Sequence, residues 1–390
     1  MASRTKTFNL KTVVKTLLRL YLISTRRSVK DYLGIKNENI SSILSKNVSV
    51  ESKIEVNDFF TKLPILIGQQ HKSILQSLKA KSEIFIIKSR NYSMSFRNNH
   101  LIDKKLNVIY EKNLSLGQLP LYTQKLEKTK EYEGSIGYLS NTDTSNYYHW
   151  LCLTLPLLKY YEEDSKGQKQ IDYFYFGNGP LKSFHKESLS KLNISFNQLI
   201  TEGCTSSDMI TAVINRNEFN GYAPISFEAY QYVRSKLMGE VENSPENNNK
   251  KRLYIKRGNV KRRKVINEEE ILQELERYGF EVLEMDGKSL DEQIKLFENA
   301  ECIIAPHGAA LTNILFMTPN SKVVELFPYG YSHNCFYTLA NYSKCEYLYL
   351  QGINTSNIET EAGYGEGNKL DIHLDISELR AVCNYLFEKN

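Results

Sequence analysis

The sequence has no Cys-x-x-Cys pair, a single tryptophan, nine prolines in 390 residues and no apolar run long enough to span a bilayer. Its six cysteines (Cys152, Cys204, Cys302, Cys335, Cys345 and Cys383) are widely spaced, and several sit inside apolar stretches. That spacing argues against a zinc site or a disulfide framework and for reduced, core-packed thiols in a cytoplasmic protein. The net charge of +5 is compatible with an anionic ligand. It is too small, with too little basic clustering between aromatics, to expect nucleic acid as a partner. No internal repeat or long low-complexity tract is present.

What is there is an ordinary globular composition, 41% hydrophobic and 24% charged, over a length that suggests two domains. Residues 7–24, "TFNLKTVVKTLLRLYLIS", place Leu10, Val13, Val14, Leu17, Leu18 and Tyr21 on one helical face and Lys11, Lys15 and Arg19 on the other. This reads as a surface helix docked on its domain; the alternative is a basic helix in peripheral contact with an anionic membrane. The Asn-rich "GEVENSPENNNKK", 239–251, has a linker's composition and divides the chain into 1–240 and 252–390.

Beyond the linker, strand-like and helix-like segments alternate: "RLYIK", "NEEEILQELERYG", "FEVLEM", "SLDEQIKLFENA", "ECIIA", "AALTNILF", "SKVVELF", "HNCFYTLANYS" and "CEYLYL". Asn267 with Glu270, and Ser289 with Glu292, have capping-box spacing. The alternation predicts an α/β domain with a parallel, Rossmann-like sheet. A last helix near 376–388 could return to either domain. The first half is less periodic. "SEIFIIKS" and "IDYFYFG" read as buried strands, and "YYHWLCLTLPLLKYYEE" as a helix kinked near Pro156, giving a second α/β domain.

In such sheets ligands bind at the carboxyl ends of the strands, where helix N-termini present free N–H groups. "CIIAPHGAALTNILF", 302–316, hands a buried strand to a helix through a His-Gly turn. Gly308 allows close backbone approach, the N–H groups from Ala309 onward are donors, and His307, Thr312 and Asn313 add side-chain hydrogen bonds. Such a site suits a diphosphate. Arg257, Arg262 and Arg263, between the first strand and first helix of the same domain, can converge on it through charge-assisted hydrogen bonds. Glu325 closes the strand "KVVEL" and is placed to accept both hydroxyls of a ribose.

The segment "DEQIKLFENAECIIAPHGAALTNILFMTPNSKVVELFP", with "NYYHWLCLTLP" upstream and "RGNVKRRKVINEE" between, resembles the ordered motifs of glycosyltransferase family 61. The resemblance covers roughly residues 130–350. It implies a GT-B-like fold, two Rossmann-like domains facing a central cleft. It further implies an inverting, metal-independent enzyme that moves a sugar, usually UDP-linked, to a glycan or lipid-linked glycan acceptor, as in capsule polysaccharide biosynthesis. No cofactor is expected, and no D-x-D stands at a strand end, although "EMD", 284–286, imitates one. Within that frame the arginines and the N–H groups after Gly308 hold the leaving diphosphate. His149 is the candidate general base. Trp150 and Tyr147 are either sugar platforms or core.

Two departures from the family pattern stand out. Leu153 occupies a position that is acidic in many relatives, which leaves Asp143 as a substitute carboxylate, and Lys256 stands where serine is frequent. The first departure keeps open a non-catalytic nucleotide-sugar-binding protein of the same family; a GT-B nucleotide-sugar epimerase is the other alternative.

Overall fold

The fold is seen in a computed structural model that describes residues 48–59, 65–66, 79–97, 100–103, 108–110, 127–139, 144–165, 170–177, 180–217, 226–239, 250–258, 260, 262–354 and 369–388. The basic helix expected at 7–24, Asp143 and most of the linker lie outside them.

The second half is built on a parallel sheet. Its strands are β1 (Lys251–Lys256), β2 (Phe280–Glu284), β3 (Ala300–Pro306), β4 (Lys322–Phe327) and β5 (Glu346–Gln351), in the spatial order β2-β1-β3-β4-β5. The helices α1 (Glu268–Glu276), α2 (Leu290–Glu298), α3 (Cys335–Tyr342) and α4 (Ile376–Phe387) flank it. Alternation along β4 separates the two faces. Val324 and Leu326 join the core beneath α1 and α4, while Val323 and Phe327 join the core shared with α2, α3 and the first half. Both faces are covered, as an all-parallel sheet requires. A two-residue strand from the first half, Ile65–Leu66, extends this sheet beyond β5.

Ser289 and Glu292 form the expected reciprocal cap, with Glu292 N–H donating to Ser289 Oγ at 3.2 Å and Ser289 N–H donating to Glu292 Oε2 at 2.7 Å. Asn267 does not cap α1 with its side chain. Its amide instead pairs with the backbone of Leu374, donating at 2.9 Å and accepting at 3.1 Å. That contact ties the approach to α4 onto α1, and α4 packs on the parallel sheet of its own half rather than returning to the first. The segment 309–316 winds as a 3₁₀ run, Ala309–Phe316, instead of an α-helix.

The first half is α/β but not a second copy of that architecture. A six-stranded sheet carries long antiparallel strands, Val48–Phe59, Lys79–Arg90 and Met209–Asn217, before three short parallel ones. A separate five-stranded sheet is mostly antiparallel. Among the described residues the first half therefore differs from the all-parallel sheet of the second. One continuous core joins the halves, with Leu151, Leu155 and Tyr230 in the same cluster as Leu311, Phe316 and Phe336.

Candidate active site

The site is built where β1 and β3 end side by side. β3 runs through Pro306, and His307 N–H continues the ladder by donating to Leu326 O at 2.8 Å. Gly308 follows in an extended conformation that any residue can adopt, so the glycine is not there for its backbone freedom. A Cβ at that position would lie 2.6 Å from Arg257 Nη1. The missing side chain makes room for a guanidinium. Arg257, the first residue after β1, fills that space and donates from Nη1 to His307 O.

Arg263 approaches the same region from the loop before α1, with its backbone in the left-handed region at φ 57°. A non-glycine residue held there is strained by about 1 kcal/mol, a strain that clusters at functional sites. Both guanidiniums are half-buried, and Nε of each is buried with no hydrogen-bond partner in the protein. Among the described residues neither forms an ion pair. Burial, followed by the charges of Arg263 and Arg262, lowers Arg257 to about 10. Burial also lowers Arg263, opposed mainly by Tyr331. Arg262 is exposed and contributes charge rather than contact. Lys256 turns away to Glu268 at the start of α1, at 3.2 Å.

Glu325 corrects the ribose assignment. It has no exposure, one oxygen faces His307 Nδ1, and the other accepts the hydroxyl hydrogen of Tyr347. A carboxylate so enclosed has no place for two ribose hydroxyls. Burial holds Glu325 well above the usual carboxylate range and His307 well below the usual histidine range, the latter reinforced by Arg263 and Arg257. His307 stacks on Phe327 at 5.2 Å, and its ring lies 6.0 Å from that of His333.

His333 was not foreseen, nor were Tyr331 and Ser332 beside it. They belong to "PYGYSHN", between β4 and α3, whose one proline and one glycine signal only a turn. His333 Nδ1 accepts the N–H of Cys335 at 3.1 Å, which places the hydrogen of the neutral ring on Nε2. Burial lowers His333 to about 3, with further contributions from His307, Arg263 and His149. Ser332 Oγ is buried without a protein partner. Sequence spacing offered one usable hint, a histidine just ahead of a helix at the carboxyl edge of a parallel sheet.

The upstream motif enters from the first half as a single turn, Tyr147–His149, capped by Asn146, then a π-helical turn, Trp150–Thr154. The π geometry is marked by Leu155 N–H donating to Trp150 O at 2.9 Å, five residues back. Pro156, which has no N–H to return to that turn, follows at once, so the kink lies just ahead of the proline. His149 is buried beside this irregularity.

Trp150 and Tyr147 are structural rather than sugar platforms. Trp150 is fully buried, with Nε1 donating to Ser188 Oγ at 2.8 Å, and Tyr147 donates its hydroxyl to Asn313 Oδ1 at 2.7 Å. Leu153 is buried apolar surface. Asn313 corrects another expectation. Both of its amide hydrogens are engaged, by Gln293 Oε1 at 2.8 Å and Ala310 O at 3.1 Å, so it clamps the two halves and has none left for a ligand. Thr312 is fully buried, and its hydroxyl has no protein partner; Ala309 is exposed at the start of the 3₁₀ run. The structure thus gathers Arg257, Arg263, His307, Gly308 and Glu325 at one edge, with His333 beside them, and turns Asn313 and Glu325 inward.

Residues 147–324 match the model of the Glycosyltransferase 61 family. The matched segment is a little under half of the chain. It contains His149, the three arginines and the His-Gly turn, and it stops one residue before Glu325. Over 155 residues the chain is 26% identical to a protein O-linked-mannose beta-1,4-N-acetylglucosaminyltransferase 2 of Xenopus tropicalis, covering 37% of this chain and 27% of the relative. Over 117 residues it is 29% identical to a beta-1,2-xylosyltransferase of Oryza sativa subsp. japonica, covering 28% and 24%. The matches therefore span about a quarter of each relative's length. Among solved structures, the iron-containing dodecameric glycosyltransferase TibC of enterotoxigenic E. coli H10407 aligns over 76% of this chain and 85% of its own. At 10% identity and a TM-score of 0.29, that alignment carries no weight for fold or chemistry.

Proposed function

We propose that the chain is an inverting, metal-independent glycosyltransferase that moves a sugar from a nucleotide-sugar donor, UDP-linked first among the candidates, to a hydroxyl of a growing surface glycan. The observation that carries this reading is the pair of half-buried guanidiniums, Arg257 and Arg263, each with an orphaned Nε–H and, among the described residues, no ion pair, the charge of Arg263 being felt at Arg257. Like charges are held together in a low-dielectric site at a free-energy cost, and a diphosphate relieves it. Displacement at the anomeric carbon puts negative charge on the departing diphosphate, and fixed cations beside it stabilise that charge as it develops.

His149 takes the proton of the acceptor hydroxyl from the first-half side of the site. In that arrangement the two α/β halves work in a GT-B-like manner, the donor on the parallel sheet and the acceptor over the first half. The reaction takes place in the cytoplasm, on a free or lipid-linked glycan. Among the described residues no helix is long and apolar enough to cross a membrane. A second reading, a non-catalytic donor-binding protein, is favoured by Leu153, apolar and buried where an acid is expected.

The test is release of nucleotide from UDP-, GDP-, dTDP- and CMP-sugars, with and without EDTA, in wild type and His149→Gln. One nucleotide class should turn over, unaffected by EDTA, and the variant should lose about 100-fold or more. Turnover abolished by EDTA contradicts the metal-free mechanism. Binding without release by the wild type selects the second reading.

A further inference from the structure

Behind the arginine pair lies a closed chain of three side chains, Tyr347, Glu325 and His307, to which the donor-site reading gives no task. Tyr347, two residues into β5, donates its only hydroxyl hydrogen to Glu325 Oε2. Burial and the adjacent carboxyl push this phenol well above its ordinary range, so it remains the donor. Glu325 Oε1 is left to share one proton with His307 Nδ1.

The position of the shared proton does not change the outcome. A carboxylic acid donating to Nδ1 leaves a neutral imidazole whose hydrogen is on Nε2, and an imidazolium donating to a carboxylate also carries a hydrogen there. Only a bare carboxylate against an Nδ1–H imidazole lacks it. That state buries a net negative charge at a residue with no exposure, and burial opposes it even with Arg263 nearby. The Nε2 atom meets Tyr331 Oη at 3.4 Å, the loose end of hydrogen-bond distance. The other titratable groups around the pair are Arg257, Arg263, His333 and Cys335.

We propose that Glu325 and Tyr347 are positioning residues that hold His307 with its Nε2 hydrogen presented to the departing diphosphate, beside Arg257 and Arg263. The inference rests on the donor-site reading above and adds two residues beyond the segment that matches the family. It involves a hydrogen bond and no proton transfer.

Conservative replacement separates positioning from packing. In Glu325→Gln, Tyr347 still needs an acceptor. The amide oxygen therefore turns to it, the NH₂ faces His307 Nδ1, and the Nε2 hydrogen is kept. In Glu325→Leu nothing at Nδ1 fixes the tautomer, and in the double variant Glu325→Gln/Tyr347→Phe the amide can flip.

The experiment titrates UDP, GDP, dTDP and CDP into the full chain by calorimetry, with melting temperatures recorded in parallel. Relative to wild type, we expect Glu325→Gln to bind the preferred diphosphate within about 3-fold, and Glu325→Leu about 10-fold or more weakly. The double variant should fall close to Glu325→Leu. Histidine ¹⁵N spectra, with His307 assigned by its loss in His307→Gln, should show a protonated Nε2 in wild type and a tautomer mixture in Glu325→Leu. Equal binding by Glu325→Leu and wild type overturns the proposal, as does Glu325→Gln as weak as Glu325→Leu. If Glu325→Leu does not fold, the wild-type spectrum decides, and an Nδ1-protonated, Nε2-bare ring overturns the proposal. If wild type binds none of the four diphosphates, the donor-site reading fails first and this inference falls with it.

Discussion

Two groups of charged side chains meet at the carboxyl edge of the parallel sheet, and they differ in whether the protein satisfies them. Glu325, His307 and Tyr347 form a set closed by hydrogen bonds within the fold. Arg257 and Arg263, at the same edge, keep buried Nε–H groups without partners, and the charge of Arg263 opposes that of Arg257. Buried polar groups without partners are rare because each costs about 1–3 kcal/mol. That contrast between a closed set and an open one is what the proposed donor site rests on. Charge alone would not have separated them, since Glu325 is as polar as either arginine.

The largest effect that breaks this contrast concerns the chemical step. His149→Gln should lower turnover by about 100- to 10,000-fold while leaving the ligand-induced rise in melting temperature intact. Loss of both together would move His149 from chemistry to binding. Next, Arg263→Ala should weaken donor binding by about 30- to 100-fold, through the loss of charge-assisted hydrogen bonds. The ligand-free protein should be no less stable, since an unpaired buried charge disappears; a fall of several degrees in its melting temperature would show that Arg263 holds the fold.

A smaller effect belongs to the closed side of the molecule. His185 is fully buried, accepts Lys182 N–H at Nδ1 and donates from Nε2 to Thr144 O, and burial lowers it to about 4. Its folded pKa lies below its unfolded one, so the unfolded chain binds more protons between roughly pH 4 and pH 6.5. Stability should therefore fall as pH drops through that window, by about 2 kcal/mol at pH 5 from this residue alone. Chemical denaturation at pH 7 and pH 5 checks it, and an unchanged slope in His185→Gln would remove the attribution. The smallest effect sharpens the role of the glycine. Gly308→Ala places a methyl against Arg257, displaces the guanidinium and should weaken donor binding by about 10-fold with little change in stability. Affinity equal to wild type would mean that Arg257 moves aside without consequence.

How much of this was legible in the sequence depends on which physical signal each residue leaves. Strands β1 to β5 and their helices show through hydrophobic periodicity and the Ser289–Glu292 cap, because each reports local packing and capping. The arginines and the His-Gly turn are legible as a motif at a strand end. The partners they acquire are not. That Glu325 would face His307 and Tyr347 depends on the register between β3, β4 and β5, which a single sequence does not display. Asn313 looked like a ligand donor until Tyr147 and Gln293 were brought to it from distant segments. In the sequence Gly308 reads as room for a ligand, whereas the room is taken by Arg257, 51 positions earlier in the chain. The antiparallel first half was the least legible. Its long strands carry no local mark that tells antiparallel pairing from parallel.

The central claim is that the open arginine pair binds the diphosphate of a nucleotide-sugar. The most direct measurement is the melting temperature of wild type and Arg263→Ala across UDP-, GDP-, dTDP- and CMP-sugars. Ligand binding to the native state must raise it by mass action. The account predicts a rise with one diphosphate-linked class in wild type and its loss in Arg263→Ala. No rise with any nucleotide-sugar, or an equal rise in both proteins, would contradict it.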